Sequence, residues 1–328
     1  MAVAASSELA ILLNPTSPDA ATAAHLAATV LGLKPAHTRR FMTGSAHFVY
    51  EVSFNNHRPI VVRMASRNGL QAIAGARTLS RLLRPLGVPL PEILAADLDY
   101  DFPYLILERL QGVDLSVVMS ALAPSSLTDI AAKVAGAQSI VSTLPSAGRY
   151  GFAVSAQEAP HERWIDVLRD NLDRSRKRIE SAGLFDSAPV DKMEVLLAAE
   201  RDALDGLPSK PFLHDTTTKN VIVTEKGRFS GIVDVDDLCF GDPRYVVALT
   251  LAAVLASGAP VVYVEAWMKN AGFRDDHIFR LYVALFIVDF MSEHGQTFND
   301  NRIQTTEDIR ERLRLLFFDC LTQIDAAR

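Results

Sequence analysis

Cysteine is scarce in this chain, with only Cys239 and Cys320 among 328 residues. A disulfide framework is therefore excluded. Each thiol is expected as a small buried apolar group in a reducing compartment, which points to the cytoplasm. A dense Lys/Arg stripe is missing as well: 33 basic side chains face 39 acidic ones, for a net charge of −6. That argues against a nucleic-acid binder and is compatible with a cationic small substrate. Internal repeats and low-complexity tracts are absent. No basic n-region precedes the first short apolar run, so a secretory signal is not expected. One uncharged run, Val246 to Val264, imitates a membrane span, but Ser257-Gly258-Ala259-Pro260 interrupts it. A buried helix, a break and a second helix are expected there, with no membrane partner.

What is present is a long, apolar chain with 49% hydrophobic residues. Such a length buries roughly three quarters of its unfolded surface and suffices for two lobes. Disorder is excluded. A helix is expected over residues 18 to 32, with Pro18 near its start and Gly32 near its end. His47–Phe54 and Pro59–Met64 read as paired strands around Asn55-Asn56. A helix over Leu70–Leu83 follows, then strands at Ile93–Ala96 and Tyr104–Leu107. After a connector at 109–113 the pattern becomes helical. Leu127 to Leu144, with apolar positions at Ile130, Val134, Ala137, Val141 and Leu144, marks one helix. Trp164, Leu168 and Leu172 mark another that begins just after Pro160 and ends near Gly183. Thr305 and Asp308 are expected to cap a last helix. The division is a β-rich lobe over 1–110 and a helical lobe over 111–328.

Inside the helical part, Val221–Thr224 and Phe229–Val233 read as a short hairpin about Glu225–Arg228. Asn220 and Asp234 are then equally far from the turn and emerge side by side. Asp215, five residues before Asn220, leads into the same end. Oxygen donors of this kind suit Mg²⁺ together with substrate phosphates. A carboxylate beside them can take a proton from an attacking hydroxyl.

Carried by these motifs, the sequence resembles the aminoglycoside phosphotransferase and choline kinase-like family, from about Phe41 to about Leu251. LHDTTTKN resembles the family's catalytic loop, and GIVDVDDLCFGDP its second metal motif. The resemblance implies an α+β, bilobal protein-kinase-like fold and transfer of a phosphoryl group from ATP to a small-molecule hydroxyl. Asp215 would be the catalytic base, and Asn220 and Asp234 the magnesium ligands. One of Asp236 and Asp237 would touch the metal site while the other is a solvated neighbour. It further implies that Gly44 and Ser45 cover the phosphates, that Arg63 takes the place of the phosphate-binding lysine, and that adenine pairs with backbone near Glu108 to Leu110. The chain departs from the family pattern in three places. Gly75 stands where a glutamate is expected. Leu213 stands where histidine is common, with His214 one place later. Val246 replaces a common Asp after Gly241-Asp242-Pro243. A nucleotide-binding regulator without transfer is the alternative reading, favoured by the missing glutamate and the single glycine of the covering hairpin.

For the acceptor, Asp289 and Glu293 lie one helical turn apart in an otherwise apolar stretch. They are expected to meet a cationic or hydroxyl-rich substrate, or else an internal arginine. His47 is expected to pack against a strand, Trp164 to lie in the core, and His294 to sit at a helix C-terminus.

Overall fold

The computed structural model describes residues 17–41, 47–298, 301–303 and 305–328. Its backbone divides into two compact units. One comprises residues up to Arg77 together with Pro91–Arg109, and the other Thr78–Leu90 with Leu110–Arg328.

The first unit is built on a five-stranded antiparallel sheet. Its strands are β1 (His37–Arg40), β2 (Phe48–Ser53), β3 (Ile60–Met64), β4 (Ile93–Asp97) and β5 (Tyr104–Glu108), in the spatial order β1-β2-β3-β5-β4. Tyr50 pairs with Val62, and Val62 with Ile106. Alternation along the strands gives the sheet two apolar faces. Val52, Val62 and Ile106 pack with Ala23, Leu26 and Ala27 of helix α1 (Ala20–Leu31). Leu105, one residue from Ile106, points the other way and meets Ile73 and Ala76 of helix α2 (Leu70–Leu83). Helix α1 starts at Asp19, whose carboxylate accepts from Thr22 N at 2.8 Å, and stops at Gly32 with φ +65°. These are the boundary residues that favour a helix start and a left-handed stop.

The second unit is mainly helical. It contains α3 (Pro124–Val141), α4 (Trp164–Ala182), α5 (Ala188–Ala199), α6 (Arg244–Ser257), α7 (Val262–Ala271), α8 (His277–Glu293) and α9 (Glu307–Ala327). Helix α8 is apolar on nearly every side because it is enclosed by α4, α6 and α9. The uncharged run after Val246 resolves as expected: α6 ends at Gly258, with φ +72°, and α7 begins four residues later. Among the described residues no helix is long and apolar enough to cross a membrane. Three boundaries differ from expectation. Helix α3 stops at Val141, short of Leu144, and α4 starts at Trp164 and not directly after Pro160. The last helix is capped by Thr306, which accepts from Ile309 N at 3.3 Å, and not by Thr305.

Two small sheets carry the loops that matter below. One joins β6 (Val113–Asp114) to β9 (Val221–Val223) and β9 to β10 (Phe229–Ile232). The other joins β7 (Gly151–Ala153) to β11 (Leu238–Gly241) and β11 to β8 (Lys210–Phe212). The β9–β10 hairpin forms about the expected turn, but a bulge between Phe229 and Gly231 shifts its register by one residue. Val233 N consequently donates to Asn220 O at 2.9 Å, and Asp234 follows one step beyond this pair.

Candidate active site

Strand β8 pairs with β11 through Phe212 and Cys239, and its ladder ends there. The chain then turns through Leu213–Asn220. This loop is held from within: Thr216 Oγ1 donates to Leu213 O at 3.0 Å, and Asn220 N donates to Thr217 O at 3.0 Å. Its three threonines are buried, and Ser116 N donates to Thr218 O at 3.0 Å. Beta-branched threonines suit a tight buried turn because each hydroxyl can satisfy nearby backbone.

Asn220 donates its side-chain amide to the carbonyl of Asp215 at 2.8 Å. That bond commits the nitrogen to the loop and leaves Oδ1 as the end able to ligate a cation. Asp234 is exposed and has φ +64°, the sole positive value among the described non-glycine residues. The left-handed conformation costs an ordinary L-residue ~1–2 kcal/mol, and aspartate tolerates it better than most. His214, Asp215, Thr216, Asp234 and Asp237 surround one narrow crevice. The Asn220–Asp215 bond and the Asn220–Val233 pair bring Asp215, Asn220 and Asp234 to one end of the hairpin, and the free Asn220 amide oxygen and the Asp234 carboxylate are of the hard oxygen type that suits magnesium.

Burial pushes the Asp215 carboxyl up to about 6; His214 opposes the shift and the Asp234 charge adds to it. His214 Nδ1 lies 3.0 Å from Asp237 Oδ1, with the edge of Phe152 against its ring. Burial disfavours the imidazolium, but the hydrogen bond it donates to the Asp237 carboxylate and the charges of Asp237, Asp215 and Asp236 outweigh it and raise the His214 pKa. Both Asp236 and Asp237 are half-buried, so neither is a fully solvated neighbour.

The remaining expected site residues are dispersed. Gly44 and Ser45 lie outside the described residues. Arg63 sits in β3 across from Val49 and Leu105 and is only 5% exposed. Glu108 ends β5, where its N–H donates to Glu92 O at 2.8 Å, which removes that group from adenine pairing. Leu110 is half-buried. Gly75 is buried in α2. Asp289 is satisfied internally: Ser175 Oγ donates at 3.0 Å, Arg174 Nη2 lies at 3.3 Å, and Arg178 Nη1 at 4.0 Å. Of the two expected readings for Asp289, this is the internal arginine. Glu293 is half-buried, and its pKa is raised by burial and then by Asp289, with Lys219 of the loop opposing. Trp164 and His47 are buried, and His294 follows the last residue of α8.

Sequence reasoning missed two polar devices. Gln138 of α3 reaches the loop at Leu213, and a glutamine four residues after Val134 on an apolar face was the available signal. The second runs through the core. Trp164 Nε1 donates to Tyr282 Oη at 2.8 Å, and Tyr282 Oη donates to Asp242 Oδ2 at 3.1 Å. Arg244 Nη2 closes on the same carboxylate at 2.7 Å. Asp242 therefore anchors the end of β11 and leaves ligation to residues nearer the loop.

Residues 38–282 match the model of the phosphotransferase enzyme family. No curated protein matches the chain. Among solved structures, the fold is similar to a thermostable mutant of aminoglycoside phosphotransferase APH(4)-Ia in ternary complex with ADP and hygromycin B. Identity is 16%, coverage 92% of this chain and 97% of that one, and the TM-score 0.62. Wild-type aminoglycoside 2'-phosphotransferase-IIIa in complex with GDP is 15% identical over 94% of this chain and 98% of that one, with a TM-score of 0.63. A GDP and kanamycin complex of APH(2")-IIIa is 15% identical over 92% and 97%, with a TM-score of 0.61. The α+β architecture, with its N-terminal sheet and helical C-terminal region, is that of these kinase-like folds.

Proposed function

The chain belongs to the phosphotransferase enzyme family, and from that premise we propose that it transfers the γ-phosphoryl group of ATP to a hydroxyl of a small molecule. The observation that carries this reading is the bond from the Asn220 amide to the Asp215 carbonyl, beside the Asn220–Val233 pair that leads into Asp234. It joins a proton acceptor and two oxygen donors at one mouth.

Asp215 orients the acceptor hydroxyl and takes its proton as the new P–O bond forms and ADP departs. A carboxyl raised to about 6 is ionised at neutral pH, yet basic enough to accept that proton. Asn220 Oδ1 and the Asp234 carboxylate would hold magnesium, which supplies positive charge to the phosphates. Arg63 is assigned to the α and β phosphates, where a guanidinium can clamp two oxygens. The Glu108 carbonyl, the N–H of that residue being taken by Glu92, and the Leu110 backbone are assigned to adenine, and Gly44 and Ser45 to the phosphates. The rate enhancement arises mainly from positioning and charge stabilisation, because a loose phosphoryl-transfer transition state needs little covalent help.

The acceptor is a small hydroxylated compound. Hygromycin B and kanamycin, bound by the structural neighbours, are cationic and hydroxylated and belong at the head of a test panel with amino alcohols, sugars and macrolides. The test is magnesium-dependent ADP release across that panel with wild type, Asp215→Asn and Asp215→Ala. Loss of turnover in both variants with nucleotide binding retained is expected. Unchanged turnover in either would overturn the assignment, and silence of the wild type with every acceptor would favour a nucleotide-binding regulator.

A further inference from the structure

Leu213 is the first residue past the end of the β8 ladder, and its backbone needs partners that no neighbouring strand supplies. Gln138 supplies them. Its Oε1 accepts from Leu213 N at 2.9 Å, and its Nε2 donates to Leu213 O at 2.8 Å and to Thr216 Oγ1 at 2.9 Å. The side-chain amide thus mimics the peptide edge of a missing strand. The identity of its two ends is set by chemistry, because only an oxygen can meet the Leu213 N–H. Gln138 is 8% exposed and stands on the buried face of α3 with Val134, Ala137 and Val141.

The two points it grips, Leu213 and Thr216, bracket Asp215. Thr216 Oγ1 also donates to Leu213 O at 3.0 Å, so the three groups close a small polar ring under the loop. The Asn220 bond restrains Asp215 from the far side. Resting on the transfer reading, we infer that Gln138 is a positioning residue that holds the Asp215 carboxylate at the acceptor hydroxyl through the backbone of Leu213 and the hydroxyl of Thr216. It touches no reacting atom. Its contribution is orientation, and a displacement of about 1 Å at such a base can cost on the order of 10²-fold in rate.

The test uses the full-length chain carrying Gln138→Leu. Two readouts are followed: amide hydrogen exchange of the peptide containing residues 213–220, and magnesium-dependent ATP turnover, to water or to the best acceptor found. Exchange in that peptide should accelerate at least 10-fold while peptides from α4 and α8 stay unchanged. Turnover should fall on the order of 10²-fold, with nucleotide affinity within about 3-fold of wild type. Unchanged loop exchange, wild-type turnover, or exchange that rises throughout the chain would each overturn the inference. Should Gln138→Leu fail to fold, Gln138→Glu takes its place. It keeps the acceptor for Leu213 N and loses both donated bonds. Faster loop exchange with reduced turnover supports the role, and wild-type values of either overturn it. If the wild-type chain turns over no ATP at all, the transfer reading fails, whereas the exchange readout still shows whether Gln138 holds the loop.

Discussion

Gly241 lies so close against the indole of Trp164 that a Cβ at this position would stand 2.2 Å from the ring. Trp164 is fully buried and cannot retreat. The glycine before Asp242 is thus a packing requirement, since β11 must pass under the ring to deliver Asp242 to Tyr282 and Arg244. Gly241→Ala should destabilise the chain by about 3 kcal/mol, the upper part of the overpacking range. Urea unfolding would show it as a lower midpoint at an unchanged slope.

The hydroxyl of Tyr282 is the centre of that network, accepting from Trp164 and donating to Asp242. Tyr282→Phe preserves the ring and leaves two buried polar groups each short of a partner. A loss of about 1–3 kcal/mol is expected, measured by thermal or denaturant unfolding. A variant as stable as wild type would show that the network contributes no net stability.

Asn220 has two separable duties. Asn220→Ala removes both the bond to the Asp215 carbonyl and the proposed magnesium oxygen. Turnover should fall on the order of 10²-fold or more, and half-maximal rate should require more magnesium. Asn220→Asp keeps an oxygen donor but places it against the Asp215 carbonyl without a proton between them, so an intermediate loss is expected. A magnesium titration of ADP release separates these effects. An unaltered magnesium requirement in Asn220→Ala would remove Asn220 from the ligand set.

The raised pKa of Asp215 has two consequences with defined signs. As a base it must be ionised, so kcat/KM should decline as pH falls below about 6. For stability, the folded chain holds this proton more tightly than the unfolded chain, whose carboxyl titrates near 3.8. The contribution is therefore full below pH ~4 and is lost as pH rises through about 6. Asp215→Asn, neutral throughout, should be more stable than wild type above pH ~7 by roughly 1–2 kcal/mol, after discounting for partial exposure. Parallel unfolding curves at pH ~4 and ~7.5 check this. A stability difference that does not grow with pH would count against it.

Much of the architecture was legible from local pattern. Helix α2 occupies Leu70–Leu83 as periodicity predicts, and α4 stops at Gly183, whose φ of +62° suits a glycine. The gathering of Asp215, Asn220 and Asp234 was also legible, because a short hairpin dictates which residues share its open end. The bulge at Phe229–Gly231 was not, since it is a backbone choice made when β10 fits its surroundings. The choice of Thr306 over the adjacent Thr305 was hidden for a similar reason: both can cap, and the direction of the entering chain decides.

The sequence by itself determined the elements, their order and the convergence of residues 215, 220 and 234 at one end of a hairpin, because helical and strand periods and turn spacing act over a few residues. Tertiary structure decided what satisfies the buried polar groups. Gln138 meets a loop 75 residues away, and Asp289 meets Arg174 across 115. A buried amide or carboxylate must find its partner wherever packing brings one, and no local rule specifies that distance.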